Sequence, residues 1–205
     1  DDQACSVNLD VGDCAERTAG DRTLLGAAQR DWFFGELDRT DARWNVIANE
    51  VIMARLPIVF GGNAAYNLDQ WDGYPTEQRR VLEKLARPGL NPLVITGDIH
   101  AYGAADLKVD WDDRAAPVVA SEFVGGSVTS NFLEGVKAED LLTDIPWLRY
   151  VNSSRHGYAV MEPSAEEARC RYRAVRSTAT EESPIDTIAE FTVRAGTPGI
   201  TRVDA

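Results

Sequence analysis

Only two of the 205 residues are histidines. One of them closes the run Gly97-Asp98-Ile99-His100, which directly follows the apolar stretch Leu93-Val94-Ile95-Thr96. In an extended segment residues two apart point the same way, so Asp98 and His100 are expected to offer a carboxylate and an imidazole to one side while Ile99 anchors the other. An Asp with a His suits Fe, Mn or Zn, and carboxylate alone suits Ca. The alternative for so short a motif is an Asp capping a turn beside a His satisfied in the core. Position matters here, because the ends of strands in α/β sheets are where loops diverge and ligands bind.

Other chemistries find less support. Gly125-Gly126-Ser127-Val128-Thr129 lacks the Gly-x-Ser-x-Gly pattern of a nucleophile elbow, which argues against a serine triad. Gly61-Gly62-Asn63 lacks the Lys and Ser or Thr of a phosphate loop and reads as a turn. His156, ahead of Gly157-Tyr158, has no ligand-type neighbour and reads as structural or exposed. Cys5 and Cys14 close a short loop rich in Asp, Asn and Gly. A bridge there would replace missing secondary structure, so the pair is the disulfide candidate. Cys170 lies in an alternating run and reads as a buried thiol, and the absence of Cys-x-x-Cys argues against a zinc ribbon.

Lys and Arg number 21 against 33 Asp and Glu, for a formal charge of -12. That balance disfavours nucleic acid and anionic membranes as partners. A phosphate substrate would then need bound cations to reverse the local field. No apolar run reaches the roughly 20 residues of a membrane-spanning helix. The first residues, Asp1-Asp2-Gln3-Ala4-Cys5, carry no charged-then-apolar leader.

The elements that must position the motif follow from periodicity. Residues 1–22 read as loop. From Gly26, the residues Ala28, Trp32, Phe33 and Leu37 recur at helical spacing, predicting an amphipathic helix over a sheet. Trp44 to Ala48 reads as a central strand and residues 57–74 as a long loop. Pro75 opens a second helix that Arg87-Pro88-Gly89 ends. Helix followed by the buried run at Leu93 predicts a parallel α/β layer. Residues 117–124 read as a strand and 138–149 as a helix. The alternating stretches Tyr158 to Met161, Ala168 to Val175 and Ile188 to Val193 predict an antiparallel meander. The expected organisation is one α/β domain portion, with a loop-rich start over 1–22, an α/β part over 23–150 and the meander over 151–205.

Several segments together resemble one family. Asn91 to His100 is similar to the Gly-Asp-x-His motif of PhoD-type alkaline phosphatases, a branch of the calcineurin-like metallophosphoesterases. Leu24 to Gln29 with Trp32, Ala42 to Val46 through Ala54, Asp69-Gln70-Trp71-Asp72-Gly73-Tyr74-Pro75, Pro117 to Gly125, Gly157-Tyr158 and Ala195 to Gly199 resemble it in the same order. The resemblance implies a layered α-β-β-α sandwich, of which this chain carries the later part. It also implies a di- or multinuclear centre, with Asp98 and His100 as ligands and the remaining ligands on earlier motifs that have no counterpart here. His100-Ala101-Tyr102 departs from the family's more polar continuation.

The implied cofactors are Ca and Fe, with Zn or Mn as alternatives, and the implied substrate is a small phosphate mono- or diester. Cations would clamp the phosphoryl oxygens and lower the pKa of the attacking water. Trp71, Asp72 and Tyr74 are pocket-loop candidates, and Glu122 and Ser127, read as lying at the end of another strand, are weaker ones. The implied location is secreted, periplasmic or cell-envelope. The competing reading is a non-catalytic fragment or binding domain that lacks the upstream ligands.

Overall fold

The computed structural model describes residues 3–60 and 63–203. In chain order the strands are β1 (Leu9–Asp10), β2 (Asn45–Ala48), β3 (Ile58–Phe60), β4 (Asn63–Asn67), β5 (Pro92–Thr96), β6 (Tyr102–Lys108), β7 (Val118–Val124), β8 (Leu148–Asn152), β9 (Gly157–Pro163), β10 (Glu167–Val175), β11 (Ile185–Arg194) and β12 (Thr197–Arg202). The α-helices are α1 (Gly26–Arg39), α2 (Pro75–Leu85) and the single turn α3 (Ala138–Leu141).

Five strands form a mixed sheet in the order β2-β5-β7-β6-β8. Within it β2, β5 and β7 run parallel, and β6 is antiparallel to both β7 and β8. The run Leu93-Val94 is continuously apolar because both faces of β5 are covered. Val94 packs with Val81, Leu82 and Leu85 of α2, whereas Leu93 packs with Tyr172 and Phe191 of the second sheet. That second sheet is antiparallel, in the order β12-β11-β10-β9. Along β10 inward and outward residues alternate strictly: Ala168, Cys170, Tyr172 and Ala174 are buried, while Arg169 and Arg171 face out to Glu190 and Glu162. The result is a sandwich of two sheets with helices on the outer face of one, plus a small third sheet in the order β1-β4-β3.

The parallel layer, both long helices and the meander agree with the sequence expectation, and four elements differ. First, β2 is an edge strand and not a central one. Its Val46 is 47% exposed. Second, residues 57–74 contain β3, β4 and a 3-10 turn at Trp71–Gly73 in place of a continuous loop; Gly61 and Gly62, read as part of a turn, lie outside the described residues. Third, the helix expected over 138–149 is one turn, followed by β8. Asp144 is left-handed at φ 57, and Pro146 disfavours helical geometry at Ile145, so the turn cannot propagate. Fourth, β6 gave no strand signal because its sequence Tyr-Gly-Ala-Ala-Asp-Leu-Lys is small and mixed. It is buried through Leu107, and a Cβ added at Gly103 would stand 3.2 Å from the Val124 side chain.

The covering helix α1 is also less amphipathic than its spacing suggests. Only Leu37 is fully buried, and Trp32 is 61% exposed. Its start is fixed from outside: Glu77 of α2 accepts hydrogen bonds from the Leu24 and Leu25 N–H groups and from the Thr23 hydroxyl. Helix N-termini carry unpaired N–H donors, and a carboxylate there satisfies them and opposes the helix dipole. Cys5 and Cys14 are disulfide-bonded. Cys170 is a buried free thiol whose pKa burial pushes up to about 12.

Candidate metal corner

The three parallel strands finish together. The Asn49 N–H donates to Ile95 O at 2.9 Å, Gly97 N–H to Glu50 O at 3.3 Å and Gly125 N–H to Thr96 O at 2.8 Å, so the segments after β2, β5 and β7 lie side by side. This carboxyl edge carries Asp98, His100 and Ser127, the placement that the strand-end argument requires.

The backbone at Asp98 differs from the extended geometry read from the sequence. Strand β5 stops at Thr96, and Asp98 and His100 both have left-handed φ values, 71 and 57. Ile99 N–H donates to Gly97 O at 3.0 Å, an i to i+2 bond about Asp98. With that positive φ the turn matches the classic γ-turn, which is rare and strained. Alternation along a strand therefore does not aim these two side chains; a tight turn does. Strain of this kind costs on the order of 1–3 kcal/mol and persists only where the surroundings hold it.

Each side chain has a specific restraint. His100 Nδ1 lies 2.9 Å from Asn131 O. A carbonyl only accepts, so Nδ1 carries a proton, and in the neutral ring the lone pair sits on Nε2. This is the arrangement that orients a ligating imidazole. Asp98 Oδ2 accepts from Gln70 Nε2 at 2.6 Å, while Gln70 Oε1 accepts from the Ile52 N–H at 2.6 Å. Both Asp98 and His100 are exposed, and among the described residues neither Asp98 Oδ1 nor His100 Nε2 has a hydrogen-bond partner. One carboxylate oxygen and one imidazole nitrogen are thus free, on side chains already fixed in place, and this donor pair fits a transition metal or a mixed oxygen and nitrogen site. Among the described residues no three His, Cys, Asp or Glu side chains converge as a metal-binding group.

The remaining candidates occupy different places. Trp71 and Tyr74 are 1% and 6% exposed, and with Asp98 they border a groove of about 1090 Å³ that also runs between α1 and β2. The Trp71 indole N–H donates to Asn49 Oδ1 at 3.2 Å. Gly73 lets this turn close, since a Cβ there would stand 2.2 Å from Leu68 O. Asp72 points the other way: it is buried, accepts the Leu56 N–H at 2.9 Å and receives charge from Arg17 and Arg55. Burial outweighs those contacts and pushes its pKa up to about 6.

Glu122 lies within β7 and not at its end. It is fully buried, its oxygens taken by the Met53 N–H at 2.8 Å, the Ala54 N–H at 2.8 Å and the Thr96 hydroxyl at 2.7 Å. Burial raises its pKa, against these three hydrogen bonds. Its contacts are those of a brace that pins Met53 and Ala54 to the sheet. Ser127 is half-buried at the strand end, and its hydroxyl accepts the Ser130 N–H at 2.7 Å, shaping the loop whose Asn131 carbonyl holds His100.

Gln70, Asn49 and the Asn131 carbonyl were not singled out in the sequence. Gln70 lies in the Asp-Gln-Trp-Asp-Gly-Tyr segment, but a contact spanning 28 positions leaves no local spacing signal. No spacing signal marks a backbone carbonyl either.

Comparison with known proteins identifies the family. The family model for PhoD-like phosphatases matches residues 1–172. Alkaline phosphatase D of Bacillus subtilis (strain 168) is 31% identical over 188 residues, covering 90% of this chain and 32% of that protein. The solved structure of PhoD superposes with a TM-score of 0.88 at 30% identity, covering all of this chain and 40% of that one. The chain therefore spans about a third of the curated relative's length, and it belongs to the PhoD-like phosphatase family.

Proposed function

We propose that this chain contributes to metal-dependent hydrolysis of small phosphate mono- or diesters, with Asp98 and His100 as two of the metal ligands. The observation that carries the reading is the pair of restrained side chains at the strand ends, each fixed through one polar atom with another left free. Asp98 Oδ1 and His100 Nε2 together would hold Fe, or Zn or Mn, the ions suited to such donors, and Ca would rest on carboxylate oxygen alone. A bound cation would supply positive charge for a phosphoryl group and acidify a bound water. That charge is what a chain of net -12 otherwise lacks. Trp71 and Tyr74 wall the groove that reaches Asp98 and would exclude water from one side of the substrate. Location outside the reducing cytoplasm is part of the same reading, supported by the Cys5–Cys14 disulfide.

A second reading has its own support. Because two ligands do not close a dinuclear site, and among the described residues no third converges on them, these 205 residues would hold metal weakly and turn over nothing without ligands from elsewhere. One experiment addresses both. The protein is stripped with a chelator, then Ca, Fe, Mn or Zn is added back while hydrolysis of p-nitrophenyl phosphate and its bis-ester is followed beside the melting temperature. Restored turnover supports the first reading. A metal-induced rise in melting temperature without turnover supports the second, since ligands that bind the native state stabilise it. No response to any metal in either assay refutes the metal corner.

A further inference from the structure

We propose that Gln70 is a positioning residue for the metal corner, orienting the Asp98 carboxylate through its side-chain amide; this rests on the reading of Asp98 as a ligand. Gln70 is 7% exposed and uses both ends of its amide: Oε1 accepts the Ile52 N–H and Nε2 donates to Asp98 Oδ2, each at 2.6 Å. This amide orientation is fixed by its partners, because the flipped form would face N–H against N–H and oxygen against carboxylate. Gln70 is itself held by the chain. Trp71 N–H donates to Ile52 O at 3.3 Å, and Gly73 N–H donates to Gln70 O at 2.9 Å. The amide therefore reaches Asp98 from a rigid, buried turn and not from a mobile surface side chain.

Two features make this a ligand-orienting contact and not a mere tie between loops. Asp98 sits in the strained turn with φ 71, where a short carboxylate needs an external restraint to keep one direction. A neutral amide also fixes that direction without cancelling charge: an Arg or Lys at position 70 would hold Asp98 equally well but remove the negative field that attracts a cation. Partners of ligating carboxylates typically contribute about 10–100-fold to metal affinity. Gln70 thus does for Asp98 what the Asn131 carbonyl does for His100, and it is the one of the two that a side-chain substitution can remove.

The test measures Mn2+ affinity of the intact protein by electron paramagnetic resonance, alongside the melting midpoint, in wild type, Gln70→Met, Asp98→Ala and the double variant. Gln70→Asn, one methylene too short to span both partners, serves as a second probe where the Met variant folds poorly. The expected result is that Gln70→Met or Gln70→Asn weakens Mn2+ binding about 10–100-fold. The same change should have no further effect on the Asp98→Ala background, where no carboxylate remains to be oriented. The melting midpoint should fall on both backgrounds, reporting the lost Ile52 contact, and by less on Asp98→Ala, where the Asp98 contact is already gone. A folded Gln70 variant that binds Mn2+ like wild type overturns the proposal. So does a loss that persists undiminished on the Asp98→Ala background, because Gln70 would then act through the fold. Wild-type Mn2+ binding by Asp98→Ala itself would instead remove the ligand assignment beneath it.

Discussion

Replacing Glu122 by Ala is the sharpest test of how the sheet end is braced. Its carboxylate satisfies two backbone donors and one hydroxyl, at 2.8, 2.8 and 2.7 Å, in a site with no exposed surface. A buried donor left unpaired costs about 1–3 kcal/mol, so three orphaned donors set a gross loss of about 3–9 kcal/mol. The variant also sheds the desolvation of a buried carboxylate, whose raised pKa records that burden. The net loss should therefore fall in the lower half of that range, about 3–5 kcal/mol. At about 2–4 °C per kcal/mol for a domain of this size, the melting midpoint should drop by roughly 6–20 °C.

Glu122→Gln keeps the shape and one acceptor oxygen but turns an NH2 toward a donor. It should lose less, about 1–3 kcal/mol. The assay is urea unfolding followed by tryptophan fluorescence, with metal absent. A Glu122→Ala variant within about 0.5 kcal/mol of wild type, the margin typical of a surface substitution, would refute the bracing argument.

Three other outcomes follow from the geometry. Asp72, with a folded pKa of about 6 against an ordinary value of 3.8, binds its proton more tightly folded than unfolded. Stability from this group is present at low pH and is lost as pH rises through that window, by about 3 kcal/mol. Asp72→Asn should flatten this part of a melting-versus-pH profile; an unchanged slope would contradict it. Removing the Cys5–Cys14 bridge, whose partners are 9 residues apart, should cost about 2–3 kcal/mol by loop entropy, and a denaturant midpoint unchanged by Cys5→Ser/Cys14→Ser would count against that. At position 126 an added Cβ would lie 2.5 Å from the buried Tyr102 ring, so Gly126→Ala should destabilise by about 1–3 kcal/mol, and a thermally neutral variant would show that the ring can yield.

Much of the fold was legible because burial writes a pattern. The unbroken apolar run at Leu93 marks a strand covered on both faces, and the alternation along Ala168 to Val175 marks a sheet with one face in the core. The strand Tyr102–Lys108 was not legible, because its small residues are set by close neighbours such as Val124 and not by propensity. Nor was the edge position of β2, which depends on what lies beside it and not on its own composition. At the site, residue types were readable and their aim was not. The pair Asp98 and His100 stood out by type and spacing, but the left-handed turn that orients them left no periodic trace. Glu122, read as lying at a strand end, is buried within the strand, and its partners, the Met53 and Ala54 N–H groups, lie about 70 residues away in sequence.

The most direct test of the metal corner is His100→Ala in the intact protein, with bound metal quantified by elemental analysis and phosphoester turnover measured on the same sample. The Nε2 lone pair, presented by the Asn131 contact, disappears in this variant while the exposed position leaves the fold free to form. Loss of both stoichiometric metal and turnover, at an unchanged melting temperature of the metal-free protein, is the expected result. Wild-type metal content with wild-type turnover would contradict the assignment.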